Sequence, residues 1–145
     1  MSIRLMRDSV NACIESIEVF WDLWKHRNPE SETYKELKKI HTAFCYLRDL
    51  PLWEKQQNMS DSGQIYNLVR EINGAFHLHR IHTLTVKRHL RFDRRTMGVP
   101  ANMDAYDLAN VKRKYDRPRN CFMNNLGYIE NTIELLRPRL DNKQT

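Results

Sequence analysis

Glycine and proline are scarce in this sequence, with four glycines and five prolines among 145 residues. Sandwiches and barrels join short strands by frequent turns, and such turns depend on these two residue types. Because the few that occur lie between long segments of helical periodicity, the sequence predicts an all-α fold.

Cysteine is scarce too, and its pattern is not that of a disulfide framework. Cys13, Cys45 and Cys121 are odd in number and far apart, and each lies in an apolar periodic segment. We therefore expect buried free thiols in a reducing compartment.

Long apolar runs and the motifs of common enzymes are missing as well. No run of about eighteen apolar residues occurs, and the N-terminal residues lack the apolar core of a signal peptide. We expect a protein of the cytoplasm, or of the nucleus of a host cell, without membrane partners. There is no Gly-rich phosphate loop, no Ser nucleophile elbow and no Cys-x-x-Cys, so no cofactor is expected.

What is present suffices for one packed domain. Apolar residues make up 41% of the chain and charged residues 29%, a balance that argues against global disorder. The prediction is a single domain over residues 1–145, built as a helical bundle of four to five helices with a long or kinked third helix.

Apolar residues spaced three and four apart mark the first two helices. One spans residues 2–26, and the other begins after Ser31, its cap, and ends near Leu47. Only a few residues separate them, so we expect an antiparallel hairpin over residues 1–50. The polar segment 52–63 predicts a loop.

The third helix begins at Asp61 or Ser62 and leads into the most distinctive stretch of the chain, residues 76–95. On a helix that continues through this stretch, six cations fall within an arc of about 120°. This cationic stripe consists of Arg80, Lys87, Arg88, Arg91, Arg94 and Arg95. The stretch contains a single carboxylate, Asp93.

The stripe conflicts with the core face of the same helix. Its arc begins at the angular position of Val69 and Phe76, which belong to the apolar face. Either the helix kinks or breaks at Asn73-Gly74, which we favour, or its C-terminal half projects beyond the bundle. The predicted domain plan gives this helix residues 61–95.

Two more helices are predicted over residues 102–137. The first runs from Asn102 to Lys114, and the second starts around Pro118 and ends at Pro138. A second basic patch straddles their junction and consists of Lys112, Arg113, Lys114, Arg117 and Arg119.

The clustered arginines and the net charge of +6 favour a polyanionic partner. Several arginines on one face neutralise phosphates and release counterions without reading a base sequence. The expected function is non-enzymatic binding of nucleic acid through both basic sets. RNA or single strands are favoured because the sequence has no helix-turn-helix or zinc pattern. Phe92, Tyr106 and Tyr115 are candidates for stacking on bases.

Two other interpretations stay open. The stripe could dock an acidic protein, as in an accessory factor of viral or pathogen type, or it could be a solvated face with an acidic neighbour such as Glu30, Glu32 or Glu36. A projecting third helix would also allow homo-oligomers. Trp53, if exposed, would be an interface anchor.

The histidines do not predict a metal site. His77, His79 and His82 are close in sequence, but residues two apart on a helix point about 200° away from each other. Only His79 with His82, and His41 with Cys45, share a helix face at ligand spacing, and no further ligand is close in sequence. We expect the histidines to add positive charge below about pH 6.5.

Arg70 and His77 are separated by six residues. This spacing resembles the Arg and His catalytic signature of HEPN-type ribonucleases, which are helical bundles. The resemblance implies RNA cleavage by these two residues, and it covers them alone. Glu71 at the position after the arginine, and the lack of a tyrosine soon after His77, depart from the family pattern.

Overall fold

The computed structural model of the chain describes residues 3–27, 32–51, 53, 62–91 and 99–144. These residues form five helices and no strand, which confirms the all-α prediction. The helices are α1 (Ile3–Arg27), α2 (Glu32–Arg48), α3 (Ser62–Leu78), α4 (Thr83–His89) and α5 (Ala105–Gln144). The bounds of α1 and α2 lie within one residue of those predicted, while the caps expected at Ser31 and Asp61 fall outside the described residues.

Helix α1 packs antiparallel against both α2 and α5. Its register with α5 is fixed at two points. The Phe20 and Tyr115 rings meet edge to face with centroids 5.4 Å apart, and the Cys13 thiol lies 3.9 Å from the Phe122 carbonyl oxygen. The two contacts are separated by seven residues on each helix, which is about two turns.

Phe44 of α2 joins three helices at the centre of the bundle. Its fully buried ring meets Phe76 of α3 at 5.8 Å and Phe122 of α5 at 6.0 Å, both edge to face. Such aromatic pairs add about 0.5–1.5 kcal/mol each beyond the area that they bury. This cluster holds α2, α3 and α5 around one core.

The two predicted C-terminal helices are a single helix, so the expectation of a break near Pro118 and an end at Pro138 was wrong. Helix α5 starts after Asp104, whose Oδ1 accepts the Asp107 N–H at 2.9 Å as an N-cap, and it runs for 40 residues. A proline inside a helix costs about 3 kcal/mol. The buried side chains of Tyr115 and Phe122 lie on both sides of Pro118 and in phase with each other, so their packing against α1 outweighs that cost.

The third helix also differs from the prediction, because it ends at Leu78 and does not reach Arg95. The chain is helical through Asn73 and Gly74, and the break lies at residues 79–82. Arg80 has a φ of 54°, in the left-handed region. Its N–H bonds to the His77 carbonyl at 3.3 Å, and the Ile81 N–H bonds to the Phe76 carbonyl at 2.9 Å. These two bonds form a Schellman motif.

The Schellman turn resolves the conflict between core face and charged face. On a continuous helix Ile81 would lie about 140° from Phe76. After the turn both side chains are buried, and the buried Val86 and Leu90 of α4 extend the same core. Burial of this second apolar set explains why the helix breaks here and not at Asn73-Gly74.

The environments of Trp53 and the three cysteines are also defined. Trp53 is buried and donates its Nε1–H to the Leu47 carbonyl at 2.6 Å, so it is a core residue and no interface anchor. All three cysteines are free, but only Cys13 is buried, whereas Cys45 is half-buried and Cys121 is exposed. The expectation of three buried thiols is therefore confirmed for Cys13 alone. Cys121 is exposed because it precedes the core position Phe122 by about 100° on α5.

The turn at Arg80 gives a stability prediction. A residue with a Cβ pays about 1 kcal/mol or more for left-handed backbone, whereas glycine does not. We expect Arg80→Gly to unfold at a higher temperature than Arg80→Ala by about 2–4 °C, measured by circular dichroism. Both variants lack the guanidinium, so their difference isolates the backbone. Equal melting temperatures would contradict the assigned turn.

Candidate nucleic-acid interface

Helix α4 carries the middle of the cationic stripe and has only seven residues. An isolated helix of that length is unstable in water, so α4 depends on its neighbours. Helix α5 contacts both of its ends, and the two helices run antiparallel. The positions of the stripe cations therefore follow from these two contacts.

At the N-terminus of α4 the capping group comes from α5. His82 occupies the N-cap position and makes no side-chain capping bond. The Glu130 carboxylate accepts hydrogen bonds from the Thr83 N–H at 2.7 Å and from the Thr83 hydroxyl at 2.5 Å. A carboxylate here satisfies an unpaired amide and also interacts favourably with the helix dipole.

At the C-terminus of α4 two side chains of α5 converge on one carbonyl oxygen. The Leu90 carbonyl accepts hydrogen bonds from the Tyr115 hydroxyl and from Arg119 Nε, the latter at 3.1 Å. Burial raises the pKa of the Tyr115 phenol, with Arg119 lowering it and Asp116 raising it to smaller extents, so the hydroxyl keeps its proton and donates. The Arg119 cation also complements the negative end of the helix dipole.

The cations of α4 lie on its solvent-exposed side. Val86 and Leu90 are buried on the inner side of the helix. Lys87, Arg88 and Arg91 lie about 100°, 200° and 140° around the axis from Val86, and all three are exposed. The same burial that fixes α4 thus places three positive charges in solvent.

The residues of the second basic patch lie on different sides of α5. Lys112 and Arg119 lie about 40–60° from Tyr115 and so share the side that faces the end of α4. Arg113 and Arg117 stand two positions before and after Tyr115, about 160° from it, on the outer side. Lys114, about 100° away on the other flank, joins neither pair. Lys112, Arg113, Lys114 and Arg117 are exposed, and Arg119 is half-buried.

Five cations from two distant segments lie within about one helical turn, along their own helix, of the contact between Leu90 and Tyr115. We define them as the α4–α5 basic patch, and they are Lys87, Arg88, Arg91, Lys112 and Arg119. In the described part of the chain none of the five forms an ion pair, because the pairs there join α1 and α2 residues or lie within α2 and the turn after it. Asp116, half-buried, is the carboxylate on the same flank of α5.

Neither Glu32 nor Glu36 forms an ion pair with a stripe residue that the structure describes. Glu32 lies 3.9 Å from Lys35, and Glu36 lies 3.5 Å from Lys39, both within α2. Glu30 lies outside the described residues. The interpretation of the stripe as a face paired internally with the hairpin is therefore not supported by the ion pairs of α2.

Three residues of the stripe are not assigned to the patch. Arg80 is exposed in the turn between α3 and α4, where it borders a cleft of about 440 Å³ that is also lined by His77, His82 and Glu130. Arg94 and Arg95 lie outside the described residues. The stripe of one continuous helix is thus replaced by a basic patch shared between two helices.

The structure describes two of the three aromatic residues that were candidates for base stacking. Tyr115 is fully buried, so the prediction that it stacks on bases was wrong. Tyr106 is 76% exposed, but it stands seven positions before Arg113 and shares the outer side of α5 with it. Phe92 lies outside the described residues.

Among the described residues His77, His79 and His82 do not form a metal site, and Arg70 and His77 do not line one pocket. His79 and His82 no longer share a helix face, because the Schellman turn lies between them. Arg70 and His77 are both exposed on one side of α3, about 10 Å apart along its axis, and they line separate depressions. Within the described ranges no group of three His, Cys, Asp or Glu is arranged to hold a metal ion. No helix found there is long and apolar enough to cross a membrane.

The contact that positions α4, between Thr83 and Glu130, was missed by sequence reasoning. It joins residues 47 positions apart, and no pattern of neighbouring residues predicts such a contact. The signal for Tyr115 and Arg119 was present, because an i,i+4 pair on the apolar side of α5 points toward the core.

The cap on α4 can be tested with Glu130→Gln. The amide keeps one acceptor oxygen but loses the charge and one hydrogen bond, a change that costs about 1 kcal/mol. We expect the amides of residues 83–91 to exchange with deuterium about fivefold faster, while those of α1 exchange as before. Glu71→Gln, an exposed change on α3, is the matched control. Unchanged exchange in α4 would contradict its dependence on Glu130.

Comparison with known proteins adds no family to this geometry. The chain matches no protein-family model, and no curated protein or solved structure is significantly similar to it. The function is therefore argued from the basic patch and the contacts that build it.

Proposed function

We propose that this protein binds nucleic acid, with RNA or single strands favoured, through the α4–α5 basic patch, and that it acts without catalysis. Four observations support the proposal: the patch contains five cations, at least four of them are exposed, none is paired within the described structure, and three are arginines. Arginine presents planar N–H donors that match phosphate oxygens.

The observation that carries the proposal is the convergence of Tyr115 and Arg119 on the Leu90 carbonyl. It fixes the end of α4 against α5 and so sets the distance between two groups of cations before any ligand arrives. Binding to such a surface loses less conformational entropy than binding to flexible basic tails. Arg119 uses Nε for this contact, which leaves its other N–H donors for a phosphate.

The preference for RNA or single strands comes from the sequence, which has no motif for reading duplex DNA. Backbone contacts alone give affinity without base specificity. A reducing compartment, the cytoplasm or the nucleus of a host cell, fits this proposal because all three cysteines are free.

Salt dependence provides the quantitative expectation. Each neutralised phosphate of a single strand contributes about −0.7 to the slope of log affinity against log salt. Five contacts therefore give a slope of about −3.5, and affinity should fall roughly 100-fold between 50 and 200 mM salt. An acidic protein held by an apolar anchor would survive this change far better.

The experiment is fluorescence anisotropy with labelled single-stranded RNA, duplex RNA and duplex DNA across a salt series. The test variant is Arg88→Glu with Arg91→Glu, and the control is Arg113→Glu with Arg117→Glu, which makes the same change of charge on the outer side of α5. We expect the test variant to lose at least tenfold in affinity at 50 mM salt. Its slope should shrink by about 1.4, and the control should retain most of its affinity.

Three results would count against the proposal. Equal losses in both variants would mean attraction by net charge alone. A larger loss in the control would move the interface to the outer side of α5, where Tyr106 lies. No binding of any of the three nucleic acids at low salt would leave the acidic protein partner as the better hypothesis.

A further inference from the structure

A groove of about 730 Å³ lies between Tyr46 of α2 and one side of α3. Its volume is within the range of ligand-binding sites in proteins. Two of the large apolar side chains that are exposed in the described ranges line this groove, namely Tyr46, 55% exposed, and Leu78, 78% exposed. Exposed apolar side chains that share a concave surface are typical of ligand-binding grooves. The groove therefore offers a surface that the packing of the core does not use.

One side of α3 forms a wall and the floor of the groove. Asn67, Glu71, Gly74 and Leu78 follow each other at intervals of four, three and four residues, so they lie within about 60° of each other around the helix. All four are exposed. Because Gly74 has no side chain, the middle of this face is bare backbone, and no described side chain lies within 4 Å of where its Cβ would be. A flat group can therefore approach α3 closely at this point.

Tyr46 contributes an aromatic face to the groove. Phe44, two positions before it on α2, is fully buried, and residues two apart on a helix point about 160° away from each other. The Tyr46 ring is thus directed away from the core. Exposed aromatic rings of this kind stack on unpaired nucleobases, because every base has a flat π-face.

Two charged side chains of α3 give the groove its polar chemistry. The Glu71 carboxylate accepts hydrogen bonds, so it matches the amino group of cytosine and not the carbonyl that replaces that group in uracil. Arg70, one position earlier, presents N–H donors that match a phosphate. Both residues line the groove and are exposed, and neither forms an ion pair with another described residue.

The groove continues toward the basic patch. A second depression of about 460 Å³ shares Leu78 and His79 with the groove and is also lined by Arg80 and by Val86 of α4. Lys87, the next residue of α4, belongs to the α4–α5 basic patch. A strand with one base in the groove therefore has a path for its following phosphates toward α4.

The charges along this path suit a phosphate backbone. Glu36 is a carboxylate of the second depression, and it lies 3.5 Å from Lys39, which lines the same depression. Arg80 adds a further positive charge there. A duplex does not match the groove, because its bases are paired with each other and stacked inside the helix.

We propose that this groove binds one unpaired, amino-bearing base of a single nucleic-acid strand, with Tyr46 stacked on the base, Glu71 accepting a hydrogen bond from its amino group and Arg70 contacting its phosphate. The inference rests on the proposed binding of nucleic acid and specifies the ligand class as a single strand. It adds a contact to a base, whereas the α4–α5 basic patch contacts the backbone alone.

The test is fluorescence anisotropy with labelled oligocytidine, oligouridine and duplex RNA of equal length. We expect the wild-type protein to bind oligocytidine about tenfold more tightly than oligouridine, because cytosine has the amino group that uracil lacks. Glu71→Gln should remove this preference, since an amide both donates and accepts hydrogen bonds. Tyr46→Ala should lower the affinity for oligocytidine about tenfold, and Tyr46→Phe should retain it. Neither change at Tyr46 should alter the affinity for duplex RNA.

Gly74→Leu tests the floor of the groove without disturbing the core. The position has space for a side chain, and leucine is a better helix former than glycine. We expect this variant to unfold at the same temperature as wild type or a higher one, and to bind oligocytidine about tenfold more weakly. The matched control is Gly127→Leu, because Gly127 of α5 has equally open surroundings and does not line the groove.

A salt series separates this inference from the proposed function. Stacking releases no counterion, so Tyr46→Ala should keep the salt slope of wild type, whereas Arg88→Glu with Arg91→Glu should reduce it. If strands bind with that slope but Tyr46→Ala and Gly74→Leu bind as wild type does, the basic patch stands and the groove proposal is overturned. If no strand binds at low salt, the proposed function fails and this inference fails with it.

Two further results would overturn the groove proposal while the patch stands. One is equal affinity of the wild-type protein for oligocytidine and oligouridine. The other is binding of cytidine monophosphate, measured by equilibrium dialysis, as tight as that of the strand, because the ligand would then be a free nucleotide. We expect the monophosphate to bind about a hundredfold more weakly, since it makes no contact with the basic patch.

Discussion

The antiparallel packing of α5 against α1 is the contact on which the rest of the structure depends. It keeps the chain helical through Pro118, because Tyr115 and Phe122 are buried against α1 on both sides of that residue. Since one rigid helix then extends from Tyr115 to Glu130, the groups that hold the two ends of α4 are fixed relative to each other. A break at Pro118 would leave those two groups independent, and a seven-residue helix would have no defined place.

Charged side chains are arranged differently on α2 and at the junction of α4 and α5. On α2 carboxylates and cations occur as close neighbours, as with Lys35 and Glu32 or Lys39 and Glu36. Around the junction of α4 and α5 the cations form no ion pair among the described residues. Exposed ion pairs contribute little to stability. The fold therefore loses little free energy of unfolding by leaving the cations of the patch without ion pairs. The patch does create a positive field that attracts polyanions over about a Debye length.

The all-α class, the bounds of α1 and α2, and the conflict between core and charge after Phe76 could be predicted without a structure, because they follow from local periodicity and from scarce helix breakers. The sequence did not show at which residues the helix breaks, or which cations of α4 and α5 lie near the same contact. The spacing of Tyr115 and Phe122 places both on the same face of one helix. Pro118 between them nevertheless led to the prediction of a helix break. The bond between Thr83 and Glu130, and the shared carbonyl of Leu90, were decided only by tertiary packing, since contacts between distant segments leave no trace in the spacing of neighbouring residues.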